Sequence, residues 1–352
     1  MPFDAFFLTA VRRELEGSLI GCRIDKVQQP QRDTLILSMR GAAGGGRLLL
    51  TASPNHPRIH LTNEPAENPA QPPMFCMLLR KHLTGGRLVS MQQPEMERLL
   101  DLTFDCTDEM GSPAQKHLIL EIMGRNSNLI LTSADGRIVD CLRRVDFEMS
   151  EQRQVLPGLY YHLPPTQGKR DPFAVTEDEL ASLLSAQTAP KRLDGWLLET
   201  LGGFSPLVCR ELAFRLTGDL DTDVSELPEA EKTALAARLH ARIEQLRTQP
   251  PQPVLLEKDG RPWDFTCLPV TQYGDFVRQE AFDSFSRLLD RFYAARDRAD
   301  AIRQSSQVIR KTVSNLQART ARKLENQRKE LAATHDRERL RRLGDILTAN
   351  LY

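Results

Sequence analysis

Apolar residues at Phe3, Phe6, Phe7, Ala10, Val11 and Leu15 recur at helical spacing, which predicts an amphipathic helix over residues 3–16 closed by Gly17. Short runs of β type follow: "RIDKVQQ", "TLILSM", "RLLLTA", "RIHLT", "RLVSMQQ", "RLLDLTF", "HLILEIM", "NLILT" and "RIVD". One helix, roughly Pro72 to Thr84, interrupts them and stops at Gly85-Gly86. The connections are short, and short connections join antiparallel strands, so this part of the chain reads as an α+β lobe.

Beyond it, "PGLYYHLPPTQGKRDP" (157–172) carries too much Pro and Gly for regular structure, and an acidic helix is expected from about Thr176. Residues 194–217, "DGWLLETLGGFSPLVCRELAFRLT", read as two helices around Gly202-Gly203, with Ser205 and Pro206 opening the second. A hairpin is expected at "EKDGRPW". From Leu288 the pattern changes again. Leu288, Phe292, Ala295, Ala299, Ile302, Ser306, Ile309, Val313, Leu316 and Thr320 alternate steps of four and three, the seam of a coiled coil. That seam has no second strand within the sequence, which closes on "GDILTANLY", so the chain is expected to be a truncated part of a longer protein.

Composition changes this picture in only a few places. The 352 residues leave room for two or three domains at about 150 residues each. Lys and Arg number 47 against 47 Asp and Glu, so total charge argues for no partner. Its distribution does: residues 286–350 hold 16 basic and 8 acidic residues, a net of +8 on the long helix, suited to a solvated face or to RNA phosphate. The six cysteines have no paired spacing and read as reduced thiols. No secretory signal pattern and no apolar run near the length of a membrane span is visible, so a cytoplasmic location without a membrane partner is the expectation.

Catalytic and metal motifs are not evident. "RGAAGGGR" joins two strand-like runs and lacks the Lys-Ser/Thr of a phosphate loop. His56 and His60 are four apart, but Pro54 and Pro57 exclude the helix that would align them on a metal. Pro2 would become an N-terminal amine of the type some DNA glycosylases use, yet Phe3 stands where an acid is needed. Neither a cofactor nor an enzymatic activity is expected. The helix start at Gly203–Leu207, with Gly203 and Ser205 at its mouth, is a candidate phosphate-binding hairpin or a plain helix pair. Glu121 is the one charge in "LILEIM"; buried, it requires Arg125, Arg143, Arg144 or Arg98 as partner, or else an open face that receives a ligand.

Taken in order, "FDAFFLTAVRREL", "ERLLDLTF", "EIMGRNSNLIL", "DGRIVDCLRRV", "LETLGGFSPLVCREL", "FDSFSRLLDRFY" and "GDILTANLY" resemble the NFACT family, with its bacterial RqcH and eukaryotic NEMF branches, along essentially the whole chain. The resemblance implies a non-catalytic N-terminal domain like that of formamidopyrimidine-DNA glycosylase (1–175), a helix-hairpin-helix domain with a β-hairpin (176–282) and a truncated coiled coil (283–352) that pairs with a second strand. It further implies a ribosome-associated quality-control factor. Such a factor binds the stalled large ribosomal subunit carrying peptidyl-tRNA and recruits alanyl-tRNA for C-terminal alanine tailing. The acidic-Arg pair used on tRNA falls on Glu97 and Arg98, with Glu97 where Asp is usual. A second element, facing tRNA or the ribosome, falls on Glu121, Ile122 and Met123 and continues into Arg125; Asn126 stands where His is common. The alternative, drawn from the name fibronectin-binding protein used in this family, is a surface adhesin for fibronectin or fibrinogen; a DNA glycosylase is a third.

Overall fold

The computed structural model describes residues 3–42, 44–108 and 110–351; Pro2, raised above as a glycosylase-type amine, lies outside the described residues. Helix α1 (Ala5–Leu19) begins at Asp4, whose Oδ1 accepts the Phe7 amide at 2.7 Å and satisfies one of the donors that every helix start leaves open. It does not stop at Gly17. Leu19 is fully buried, and the left-handed residue that ends the helix is Gly21, at φ +84°.

The strands are β1 (Arg23–Gln31), β2 (Thr34–Gly41), β3 (Gly44–Thr51), β4 (Arg58–Leu61), then after helix α2 (Met74–Leu83) β5 (Arg87–Gln92), β6 (Leu99–Thr107), β7 (Pro113–Glu121), β8 (Asn128–Ser133) and β9 (Ile138–Cys141). Among the described residues they form one nine-stranded sheet in the order β4-β3-β2-β1-β5-β6-β7-β8-β9, and the paired neighbours are antiparallel. This is the large antiparallel sheet that the short connections called for.

The sheet has two buried faces over part of its width. Leu100, Leu102 and Phe104 of β6 belong to the main core with α1 and α2. On the other face Leu99, Ile119, Ile130, Ile138 and Val155 make a small second core with Val145 and Tyr161 packed on it. The covering chain is a strap over residues 145–161, in which Val145 and Val155 pair across an antiparallel bridge. That is why "LILEIM" is apolar without alternation: Leu118 and Leu120 point into one core and Ile119 into the other.

Helices α3 (Glu177–Ser185), α4 (Leu193–Thr200), α5 (Pro206–Thr217) and α6 (Glu229–Thr248) follow, then β10 (Val254–Lys258), β11 (Arg261–Thr266) and β12 (Arg278–Ala281) in a three-stranded sheet. Asp259 and Gly260 turn the expected hairpin with φ of 52° and 70°, the paired positive values of a tight β-turn. Helix α7 (Phe285–Thr334) is continuous over 50 residues, and α8 (Arg337–Ala349) follows. No helix of the described residues is long and apolar enough to cross a membrane.

The chain divides into two compact units, Met1–Ala294 and Ala295–Tyr352. Within the first, the start of α7 is fixed by two carboxylates. Glu14 accepts from the Phe285 amide at 2.6 Å and the Ser286 amide at 3.0 Å. Asp290 accepts from Thr62 Oγ1 at 2.7 Å and the Asn63 amide at 3.0 Å, and its Oδ1 lies 3.0 Å from His60 Nε2. In the second unit the seam residues Ile302, Ile309, Val313 and Leu316 are exposed.

Asp290 also predicts an acid limit. Burial alone pushes its carboxyl up, but the hydrogen bonds and charge from His60, with those from Thr62 and Asn63, hold it below the usual range. A group lowered in the fold contributes stability above its unfolded value and loses it as the pH falls toward the folded one. Urea unfolding of the wild type is expected to lose stability more steeply than Asp290→Asn as the pH drops below about 4. Parallel pH profiles for the two would contradict this.

Candidate functional site

The two sequence elements singled out above meet at one end of the sheet. Leu99 of β6 pairs with Glu121 of β7, and one step further the Ile122 amide donates to the Arg98 carbonyl at 2.8 Å. Glu97 and Arg98 themselves lie in the loop ahead of β6. That loop is tied to α1: Gln93 Nε2 donates to the Ala5 carbonyl at 2.9 Å and to the Glu97 carbonyl at 3.0 Å. It also carries Glu95 at φ +45°, a left-handed conformation that non-glycine residues rarely hold.

Opposite the loop stands the turn between α4 and α5. Gly203, at φ +80°, accepts the Phe6 amide at 3.1 Å on its carbonyl. A Cβ there would fall 2.6 Å from Met96 Cε and 2.8 Å from Met96 Cβ, so only glycine lets the turn and loop close on each other. Between them is a cleft of about 400 Å³, lined by Glu97 and Arg98 on one side, Gly203 and Ser205 on the other, and Lys169 and Arg170 at its edge. The structure thus brings together two candidate sites that the sequence left separate.

The floor of this cleft narrows the expectation of a phosphate cradle at Gly203 and Ser205. The Ser205 amide, one of the donors such a cradle would offer, is bonded at 2.7 Å to Oδ2 of Asp4, which is 5% exposed. Burial pushes the Asp4 carboxyl up, against hydrogen bonds from Ser205 and Phe7 and the positive charge of Arg98. A carboxyl group of the protein's own occupies that amide. At the rim, loss of water around Glu97 lifts its carboxyl, Arg98 opposes the shift, and Glu95 adds to it. Mixed charge suits a cleft that reads base or ribose edges as well as phosphate.

Glu121 and Ile122 are not at the surface. Glu121 is 1% exposed, Ile122 is fully buried, Met123 is half-buried, and only Arg125 is exposed. The partner of Glu121 is none of the four arginines proposed from sequence. Arg153 takes that place, with Nη2 donating to Oε1 at 2.5 Å and Nη1 to Oε2 at 3.2 Å, while the Tyr161 hydroxyl donates to Oε1 at 2.8 Å. Burial and the Glu121 charge push the Tyr161 phenol well up, so it stays a donor. Both partners come from the strap; Tyr161 falls in the Pro/Gly-rich stretch 157–172 and Arg153 ahead of it, and nothing in the sequence marks either. Beside them His117 Nδ1 lies 3.0 Å from Asp101 Oδ2 on the same sheet face.

Arg125 sits in a single 3₁₀ turn, Gly124–Asn126, and the Arg143 guanidinium fixes that turn by donating to the Arg125 carbonyl at 2.5 Å and the Ala52 carbonyl at 2.9 Å. The Asn128 side chain holds Arg143 in turn, accepting its amide at 2.9 Å and donating to its carbonyl at 2.8 Å. The backbone of this basic turn is therefore rigid, with the Arg125 side chain directed to solvent.

Comparison with known proteins extends the geometry. The profile of the NFACT N-terminal and middle domains matches residues 4–352. The Rqc2 homolog RqcH of Bacillus subtilis (strain 168) is 34% identical over 353 residues, 100% of this chain and 59% of that protein. The ribosome quality control complex subunit NEMF of Mus musculus is 31% identical over 189 residues, 54% of this chain and 16% of that protein. Among solved structures, the N-terminal part of the fibronectin/fibrinogen-binding protein of Streptococcus suis matches with a TM-score of 0.69 at 30% identity, over 83% of this chain and 99% of that one.

Proposed function

The chain belongs to the NFACT family, and from that premise we propose that it is a ribosome-associated quality-control factor of the cytoplasm that grips tRNA in the cleft between Glu97-Arg98 and Gly203-Ser205. On this reading it binds the large ribosomal subunit that still carries peptidyl-tRNA and recruits alanyl-tRNA for C-terminal alanine tailing. Peptide transfer takes place in the ribosome's own centre, and the protein is no enzyme. The glycosylase-like lobe, the helix-hairpin-helix domain and a coiled coil in which α7 finds a second strand belong to the same proposal.

One observation carries it: the Arg98 carbonyl bonded to the Ile122 amide, which ties the second family element to the loop whose Glu97 and Arg98 line a cleft together with Lys169 and Arg170. Arg98 makes charge-assisted contacts to phosphate or base edge, and Glu97 accepts from a base or ribose. Arg125 adds a contact from its rigid turn. Glu121 and Ile122 work from inside, by fixing the strand end on which Arg98 sits.

In a filter-binding titration at matched salt, Arg98→Ala is expected to bind tRNA about 10-fold more weakly, with a log-log salt slope shallower by about 0.7 to 1. Equal affinity would sink the assignment. The name of the Streptococcus suis protein favours a second reading, a surface protein that binds fibronectin or fibrinogen. It predicts fibronectin capture that Arg98→Ala leaves unchanged, and purified protein free of tRNA and ribosomal RNA.

A further inference from the structure

We propose that the hollow between α1, the end of α6 and the loop before β6 is a second nucleotide subsite, taking a phosphate-bearing residue of the same RNA that enters the Glu97–Arg98 cleft. The inference rests on the tRNA reading above. The hollow has a volume of about 300 Å³ and adjoins the cleft, with Glu95, Met96 and Asp171 lining both. A strand that leaves the cleft over the Glu95-Met96 ridge enters this hollow next. Glu95, held left-handed at φ +45°, forms the ridge itself.

Its chemistry is that of a nucleotide site. Arg12 and Arg13 of α1 and Arg247 in the last turn of α6 supply three guanidinium groups, and Phe173 and Leu246 are among the apolar walls. Arg12 gives Nη1 to Glu16 at 2.5 Å, while its Nε is buried with no hydrogen-bond partner among the described residues. Arg247 gives Nη2 to Glu244 at 2.6 Å, and Arg13 is exposed. A guanidinium has five donors in a planar fork, so each of the paired arginines keeps donors for an anion.

The carboxylates set where that anion sits. Asp171 spends Oδ1 on the Phe173 amide at 2.9 Å, and Glu16 and Glu244 are spent on their arginines. Glu95 repels phosphate from the ridge, which leaves the lining arginines Arg13 and Arg247 for the phosphate and the Phe173 wall for the base. A phosphate alone would not use the apolar wall, and an apolar ligand would not use the arginines.

The test is tRNA binding over a salt series for wild type, Arg98→Ala and the Arg13→Ala/Arg247→Ala pair, with thermal melts to establish that each is folded. The pair is expected to bind about 10-fold more weakly with a log-log salt slope shallower by about 1.4, the value for two lost single-strand phosphate contacts. Wild-type affinity and slope in the pair, with Arg98→Ala weakened, would overturn the hollow and leave the cleft standing. A weaker pair with the slope unchanged would overturn it too, because phosphate would then not be what the arginines hold. Absence of tRNA binding by the wild type would remove both readings.

Discussion

Replacing Arg153 with alanine is expected to destabilise the first unit by about 3–5 kcal/mol, the usual consequence of leaving a buried charge without its partner. Glu121 is 1% exposed and receives two bonds from Arg153 and one from Tyr161. Without the guanidinium, the carboxylate keeps one hydroxyl donor in a site walled by Leu99, Ile119 and Val155. Water reaches it only if the strap lifts off the sheet, which exposes the second core. Glu121→Gln combined with Arg153→Met removes both charges and keeps an acceptor for Tyr161; it is expected to recover all but about 1–2 kcal/mol. Urea unfolding of the wild type and the two variants decides the matter: an Arg153→Ala loss below about 1 kcal/mol would mean that the strap is not held by this pair. The functional readout follows from the Ile122 amide on the Arg98 carbonyl. A lifted strap loosens the strand end that carries Arg98, so Arg153→Ala is also expected to weaken tRNA binding from a position outside the cleft.

What the sequence made legible, and what it hid, follows from the range of the interactions involved. The nine strands were readable because each is a short apolar run bounded by turns, and antiparallel pairing follows from connections too short for crossovers. The two-helix segment around Gly202-Gly203 and the Asp-Gly hairpin were readable for the same local reason. The solitary charge in "LILEIM" correctly announced that Glu121 needs a partner, because burial of a lone carboxylate is costly anywhere. Which partner was not readable. The arginines nearest in sequence were the natural candidates, but a strap 32 residues downstream in the chain folds over the outer sheet face and supplies Arg153. The joining of Glu97-Arg98 to Gly203-Ser205 was hidden likewise, since it depends on Met96 meeting a turn that has no Cβ.

Asp4→Ala is expected to cost about 2–4 kcal/mol, because one side chain caps two helices that lie far apart in sequence. Its Oδ1 receives the Phe7 amide of α1 and its Oδ2 the Ser205 amide at the mouth of α5, each at 2.7 Å. Loss of the first is the ordinary cost of an N-cap, about 0.5–2 kcal/mol; loss of the second strands a buried amide, about 1–3 kcal/mol more. Asp4→Asn separates the two contributions, since its single acceptor oxygen serves either amide but not both, and an intermediate stability is expected. The pH dependence runs opposite to that of Asp290. Burial holds the folded Asp4 carboxyl above its unfolded value, so its ionisation opposes folding as the pH rises above about 4. Asp4→Asn lacks that term, and its deficit against wild type is therefore expected to narrow as the pH rises above about 4. In tRNA binding, Asp4→Ala frees the Ser205 amide while loosening the turn that faces Glu97 and Arg98. If the freed amide were a phosphate cradle waiting to be used, affinity would rise; since the turn's position is what the cleft depends on, affinity is expected to fall.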